Sequence, residues 1–150
     1  MELMEIRIIK YGDPLWNKTI IFAEKCSWKA GPYLAEMMRN NSFQDPERVI
    51  VAVENGSIIG YCTFVMKDEL PEDCKYSPFI GFVFVDEKSR GNRVSGKMIS
   101  SASEYAKSIG YEKIYLLSGE QGLYEKYGFE KKGDFQTIYG SVDQLFEKAL

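Results

Sequence analysis

Apolar and charged positions alternate at the start of the chain. Leu3, Ile6 and Ile8 are set against Glu5 and Arg7, so residues 3–10 predict a first strand. Asp13-Pro14 then supplies an N-cap and a proline for the first helical position, and Leu15, Thr19, Phe22, Ala23 and Cys26 share one face at helical spacing. The breaker at 29–32 ends that helix. Leu34, Met37 and Met38 predict a second, shorter one, closed by polar residues 39–42 and a turn at Asp45-Pro46. Residues 48–54 are a β-branched run, and another apolar run fills 57–66. Asn55-Gly56 between them suits the positive φ of a tight turn, so a hairpin of two antiparallel strands is expected.

The stretch 67–77 is polar and acidic around Pro71, carrying Asp68, Glu69, Glu72 and Asp73. It reads as a solvated surface loop or as the lip of a substrate groove. Residues 79–85 are uninterruptedly apolar, as expected of a central strand covered on both faces. After a charged connection over 86–93, Val94, Met98, Ala102, Tyr105 and Ile109 recur at helical spacing until Gly110, and 111–117 is again apolar. Strand, loop, helix and strand over 79–117 form a right-handed crossover unit, which sets its two strands parallel. Beyond it, 121–127 predicts a short helix closed by Gly128, and 129–134 and 136–139 predict terminal strands. Residues 141–144 resemble a capping box opening a final amphipathic helical segment.

Composition narrows the chemistry. A chain of 150 residues, 45% hydrophobic, supports one packed core and is short for two, so 1–150 is expected to be a single domain. The net charge of -3 gives no basic footprint, which argues against a nucleic-acid partner. With no histidine, Ser-His and Cys-His nucleophilic mechanisms and most transition-metal sites fall away, and no metal is expected. Cys26, Cys62 and Cys74 are odd in number and lack CxxC spacing, which suits reduced thiols in a cytosol. The amino terminus has no apolar signal core and no run is long enough to span a bilayer, so a cytoplasmic location with no membrane partner is expected.

One stretch points to a ligand. A helix that opens after a buried strand presents its first N–H groups, and the positive end of its dipole, at the carboxyl edge of the sheet. There Gly91 permits close backbone approach, and Arg90 and Arg93 add positive charge. A pyrophosphate suits that set; on spacing alone an ordinary charged connection fits equally well. Residues 85–96, running from Val85 through Arg90, Gly91, Asn92, Arg93, Val94 and Ser95 to Gly96, resemble the coenzyme A loop of the GNAT N-acetyltransferase superfamily, written Arg/Gln-x-x-Gly-x-Gly/Ala between a strand and a helix. Gly122, Tyr124, Gly128 and Phe129 are similar to the family's tyrosine-bearing helix and the Gly-Phe strand start that follows. The likeness spans 48–133.

The resemblance implies an α/β (α+β) fold: a mixed, mostly antiparallel twisted sheet of six to seven strands, with a parallel splayed pair in the middle and about four flanking helices. Two positions depart from the motif. Arg93 stands where its first glycine is commonest, and Ser95 where the second glycine or alanine is expected. A helical backbone conformation needs no glycine, so Arg93 is expected to adopt one with its N–H still facing the ligand.

The resemblance further implies direct transfer of acetyl from acetyl-CoA, as co-substrate, to a small-molecule or peptide amine. Residues 90–96 would hold the cofactor, and N–H groups of Val83, Phe84 and Val85, exposed where the strands splay, would hold the oxyanion. Tyr124 matches the general-acid tyrosine. A phenol suits that role because it keeps its proton at neutral pH, although on spacing alone Tyr124 reads as a core aromatic. Many relatives carry a Glu on the strand before the tyrosine helix. Here Tyr115, Leu116, Leu117 and Ser118 occupy that strand, leaving the general base unassigned and ordered water as a candidate. A monomer or homodimer is expected. The main alternative is a non-catalytic acyl-CoA sensor of the same fold. A Rossmann-type enzyme is disfavoured by the missing G-x-G-x-x-G turn and the leading antiparallel hairpin.

Overall fold

In the computed structural model, which describes residues 4–71 and 73–150, the β-branched run is β2 (Arg48–Glu54), paired antiparallel with β1 (Met4–Ile9) and β3 (Ser57–Val65). Leu3 of the expected first strand lies outside the described residues. Side chains of β2 leave by alternate faces. Ile50 and Ala52 join the core under α3 (Val94–Ser108), while Val49, Val51 and Val53 join the one under α1 (Pro14–Lys25) and α2 (Gly31–Arg39). Burial on both sides is why no polar residue interrupts the run. Asn55 (φ 51°) and Gly56 (φ 81°) make the expected turn into β3.

Asp13 caps α1 by accepting the Leu15 N–H at 2.9 Å, ahead of Pro14. The face of α1 that is buried is Trp16, Thr19, Ile20 and Ala23, rotated from the expected one because Trp16 goes inward and its indole donates to the Met38 carbonyl at 3.1 Å. Gly31 and Pro32, expected as a breaker, are instead the first turn of α2. A Cβ on Gly31 would overlap the Ala23 carbonyl, so only glycine lets the two helices approach there.

The sheet continues through β4 (Phe79–Val85), β5 (Lys113–Ser118), β6 (Glu130–Gln136) and β7 (Val142–Ala149), in the order β1-β2-β3-β4-β5-β7-β6. Every neighbouring pair is antiparallel except β4 and β5, which the α3 crossover sets parallel. Three α-helices are formed among the described residues rather than about four, with one-turn 3-10 helices at Glu87–Ser89 and Tyr124–Tyr127. The segment expected to end as a helix is β7. It fills the slot between β5 and β6, where Phe146 pairs with Leu116 on one side and Lys131 on the other. A helix there would leave two strand edges open, and that tertiary pairing outweighs the local capping signal. The two expected terminal strands are one, β6, followed by a turn in which the Thr137 N–H donates to the Ser141 carbonyl at 2.8 Å. Among the described residues, no helix is long and apolar enough to cross a membrane.

Candidate active site

The parallel pair holds for two positions only, Phe79 opposite Tyr115 and Ile80 opposite Leu116. Beyond Ile80 the strands part. The cause lies in β4: Phe82 adopts φ 49°, and the register against β3 slips between Tyr61 and Thr63, so that Phe82 and Val83 together face Cys62. A bulge of this kind bends the strand that carries it and re-aims its residues. The middle of β4 is therefore not covered on both faces as its apolar run suggested; Gly81, Phe82 and Val83 are half-buried and border a cleft that opens between the strands.

One wall of the cleft is the start of α3. The first helical hydrogen bond runs from the Lys97 N–H to the Arg93 carbonyl at 3.1 Å, and no side chain caps this end. The amides of Val94, Ser95 and Gly96 thus stand outside the helical ladder, next to the cleft, with the positive end of the helix dipole behind them. Arg93 itself is left-handed (φ 62°, ψ 23°), not helical as expected, and Gly91 is left-handed too (φ 86°). The motif position that usually carries glycine needs this conformation, and a residue with a Cβ is strained there by about 1–2 kcal/mol. Arg90 donates from Nε to the Val85 carbonyl at 3.0 Å and lies 5.6 Å from the Phe84 ring, tying the loop to the end of β4. The residues assigned to the cofactor line the cleft with one exception, Asn92, which is exposed outside it.

A second wall is the 3-10 turn that replaces the expected short helix. Tyr124 is buried, 6% exposed, with its ring against Phe129 and Phe146. Burial pushes its phenol up to about 12, with the Ser118 hydroxyl pulling it partly back. Gly128 (φ 93°) ends the turn as expected.

Sequence reasoning missed two residues of the remaining walls, Trp28 and Asp143. Trp28, between α1 and α2, stacks on Phe84 with ring centroids 5.9 Å apart and planes 6° from parallel, and neighbouring Ser27 hydrogen-bonds Glu87. Nothing in the local pattern marks Trp28, because its partner is distant in sequence. Asp143 also lines the cleft, and it was read as part of a helix cap. Asp68 and Glu69 of the acidic loop, read as solvated or as a groove lip, line the cleft as well. The Asp68 carboxyl is pushed up to about 6 by burial and by the charges of Glu69 and Asp143, against the stabilising Glu69 N–H at 2.8 Å. Among the described residues, no group of His, Cys, Asp and Glu side chains is arranged to hold a metal ion.

Residues 16–129 match the profile of the Acetyltransferase (GNAT) family. The chain belongs to that family. Solved structures bear the GNAT assignment out at the level of fold. An aminoglycoside 6'-N-acetyltransferase complexed with coenzyme A superposes with a TM-score of 0.71 at 15% identity, over 97% of this chain and 96% of that one. An aminoglycoside 6'-acetyltransferase type Ii gives 0.73 at 17%, over 97% and 96%. A GNAT family acetyltransferase from Elizabethkingia anophelis with acetyl-CoA bound gives 0.67 at 17%, over 98% of each chain. No curated protein matches the sequence. The seven-stranded sheet with its parallel, splayed pair is the arrangement expected of a GNAT chain.

Proposed function

We propose that this GNAT chain transfers the acetyl group of acetyl-CoA directly to a small-molecule or peptide amine within one ternary complex. The observation that carries the reading is the split of β4 from β5 after Ile80, which opens between an uncapped helix start and a buried tyrosine. The diphosphate would rest on the Val94, Ser95 and Gly96 amides, with Arg90, Arg93 and Lys97 adding charge. Past Ile80, amides of β4 that turn toward β5 have no strand partner there, so the stretch Val83 to Val85 can offer fixed N–H dipoles to a developing oxyanion. Tyr124 would give its proton to the departing thiolate.

A covalent route through Cys62 has no support in the packing. Cys62 is fully buried, which pushes its thiol far above the range where it ionises. The test is an acceptor panel incubated with acetyl-CoA, reading thiol release together with the mass of the acetylated amine. Acetylated product in step with thiol is the expected result. Tight coenzyme A binding with no transfer to any amine would instead mark the chain as a sensor.

A further inference from the structure

Two oxygens converge on the vertex of the split. Gly81 is the first residue of β4 past the last paired position, and it carries no side chain. A Cβ placed there would lie 3.4 Å from Asp68 Oδ2 and 3.1 Å from Thr63 Oγ1. Thr63 is 0% exposed, and its hydroxyl finds no hydrogen-bond partner among the described residues. An unpaired buried hydroxyl costs about 1–3 kcal/mol unless a bound group or water satisfies it. Thr63 lies behind the cleft lining, which Gly81 and the half-buried Asp68 carboxylate help to form. The carboxylate is also held in place: Oδ1 accepts the Glu69 N–H, and the Glu69 carbonyl accepts the Ile138 N–H at 2.7 Å, which fastens the loop to the turn before β7.

We propose that Asp68 takes the first proton from the acceptor's ammonium, in a subsite for a cationic amine that Glu69 and Asp143 complete, with the Thr63 hydroxyl behind Gly81 helping to position the Asp68 carboxylate. The proposal rests on the acetyltransferase reading and deepens it. An alkylammonium carries two more protons than the amide it becomes. The first passes to Asp68 and then to water, freeing the nitrogen lone pair to form the C–N bond. The second leaves nitrogen as the tetrahedral adduct collapses and the C–S bond breaks, and it restores the phenol proton that Tyr124 gives to sulfur. Among the described residues, the charges acting on Asp68 are negative, Glu69 from its own loop and Asp143 from β7, while Thr63 of β3 and Gly81 of β4 bring none. Such a setting attracts a cation and gives the carboxylate a proton affinity nearer neutrality, which is what a base working near pH 7 requires.

The experiment compares the parent chain, Asp68→Asn and Thr63→Val on two probes. Spermidine is protonated at neutral pH, whereas an arylamine is already unprotonated. For Asp68→Asn, kcat/KM on spermidine is expected to fall about 10²–10⁴-fold near neutrality and its acid limb to move up toward the pKa of the amine itself, about 10, while the arylamine rate falls far less. Thr63→Val keeps the shape of the side chain, and it is expected to raise the KM for spermidine and to move the acid limb. Calorimetric titration with coenzyme A checks that each variant is folded. Equal losses on both amines, or an unchanged pH profile in Asp68→Asn with the parent active, overturn the proposal alone. If Asp68→Asn does not fold, a pH profile of the parent on spermidine with no acid limb, or an unmoved limb in Thr63→Val, overturns it. A parent that binds coenzyme A and acetylates neither probe nor any amine of the panel overturns the acetyltransferase reading and takes this one with it.

Discussion

Gly96 on the first turn of α3 lies flat against Tyr127: a Cβ at Gly96 would come 2.8 Å from Cε1 of that ring, and the adjacent Ser95 hydroxyl is 3.0 Å from the Tyr127 hydroxyl. The start of the helix and the turn that carries Tyr124 are thereby packed as one unit. Gly96→Ala is expected to destabilise the fold by about 1–3 kcal/mol, because the ring must move before the methyl fits. Urea unfolding checks this. The loss should largely disappear in the double variant Gly96→Ala with Tyr127→Leu, since the clash is with the ring.

Arg93 offers the opposite effect. Its left-handed backbone is strained by its own Cβ, so Arg93→Gly is expected to raise unfolding stability by about 1 kcal/mol. The same variant removes a cation from the cleft, so coenzyme A binding should weaken and become less sensitive to salt. Denaturant melts together with titrations at two ionic strengths separate the two effects.

Tyr124→Phe should lower kcat at least tenfold and leave the dissociation constant for coenzyme A within a factor of two, because only the hydroxyl acts on the leaving sulfur. With the parent phenol pushed up to about 12, the proton stays on through the neutral range and well above it. The pH profile of the parent should therefore show no alkaline limb below about pH 10 attributable to this group. Stopped assays across pH, with titrations in parallel, test both statements.

Asp68 also links stability to pH. Its carboxyl sits above its ordinary 3.8, at about 6 in the folded chain, so between those values the folded state binds a proton that the unfolded state has released. Its contribution to stability is thus present below about pH 4 and is lost as pH rises through 6. Subtracting the Asp68→Asn unfolding profile from that of the parent should leave a curve that falls across this window and is flat above it.

Legibility followed the range of the interactions. The hairpin at Asn55-Gly56, the capped start of α1 and the crossover over β4, α3 and β5 depend on neighbours in sequence, and each could be read. The Gly91 turn and the Tyr124 turn were placed by their resemblance to a family. What could not be read depends on pairing across the sheet. Residues 142–149 look like a capped helix until β5 and β6 supply hydrogen-bond partners on both edges. The bulge at Phe82 is invisible in an apolar run, because it arises from a slip against β3. Asp68 was read as one of four acidic residues in a solvated loop or groove lip and was not singled out, since Gly81, Thr63 and Asp143, which make its setting, come from three different strands. Arg93 misled for a different reason: the sequence shows which residue occupies the place of the motif glycine, and the left-handed φ imposed there is set by the helix start it leads into.

The central claim is that main-chain amides opening α3 hold the diphosphate of acetyl-CoA so that its thioester reaches the gap between β4 and β5. A crystal structure of the complex with coenzyme A measures this directly. The account predicts phosphate oxygens within hydrogen-bond distance of the Val94, Ser95 and Gly96 nitrogens, and the sulfur near Tyr124. Coenzyme A bound elsewhere on the chain, with that corner empty or filled by side chains, would contradict it.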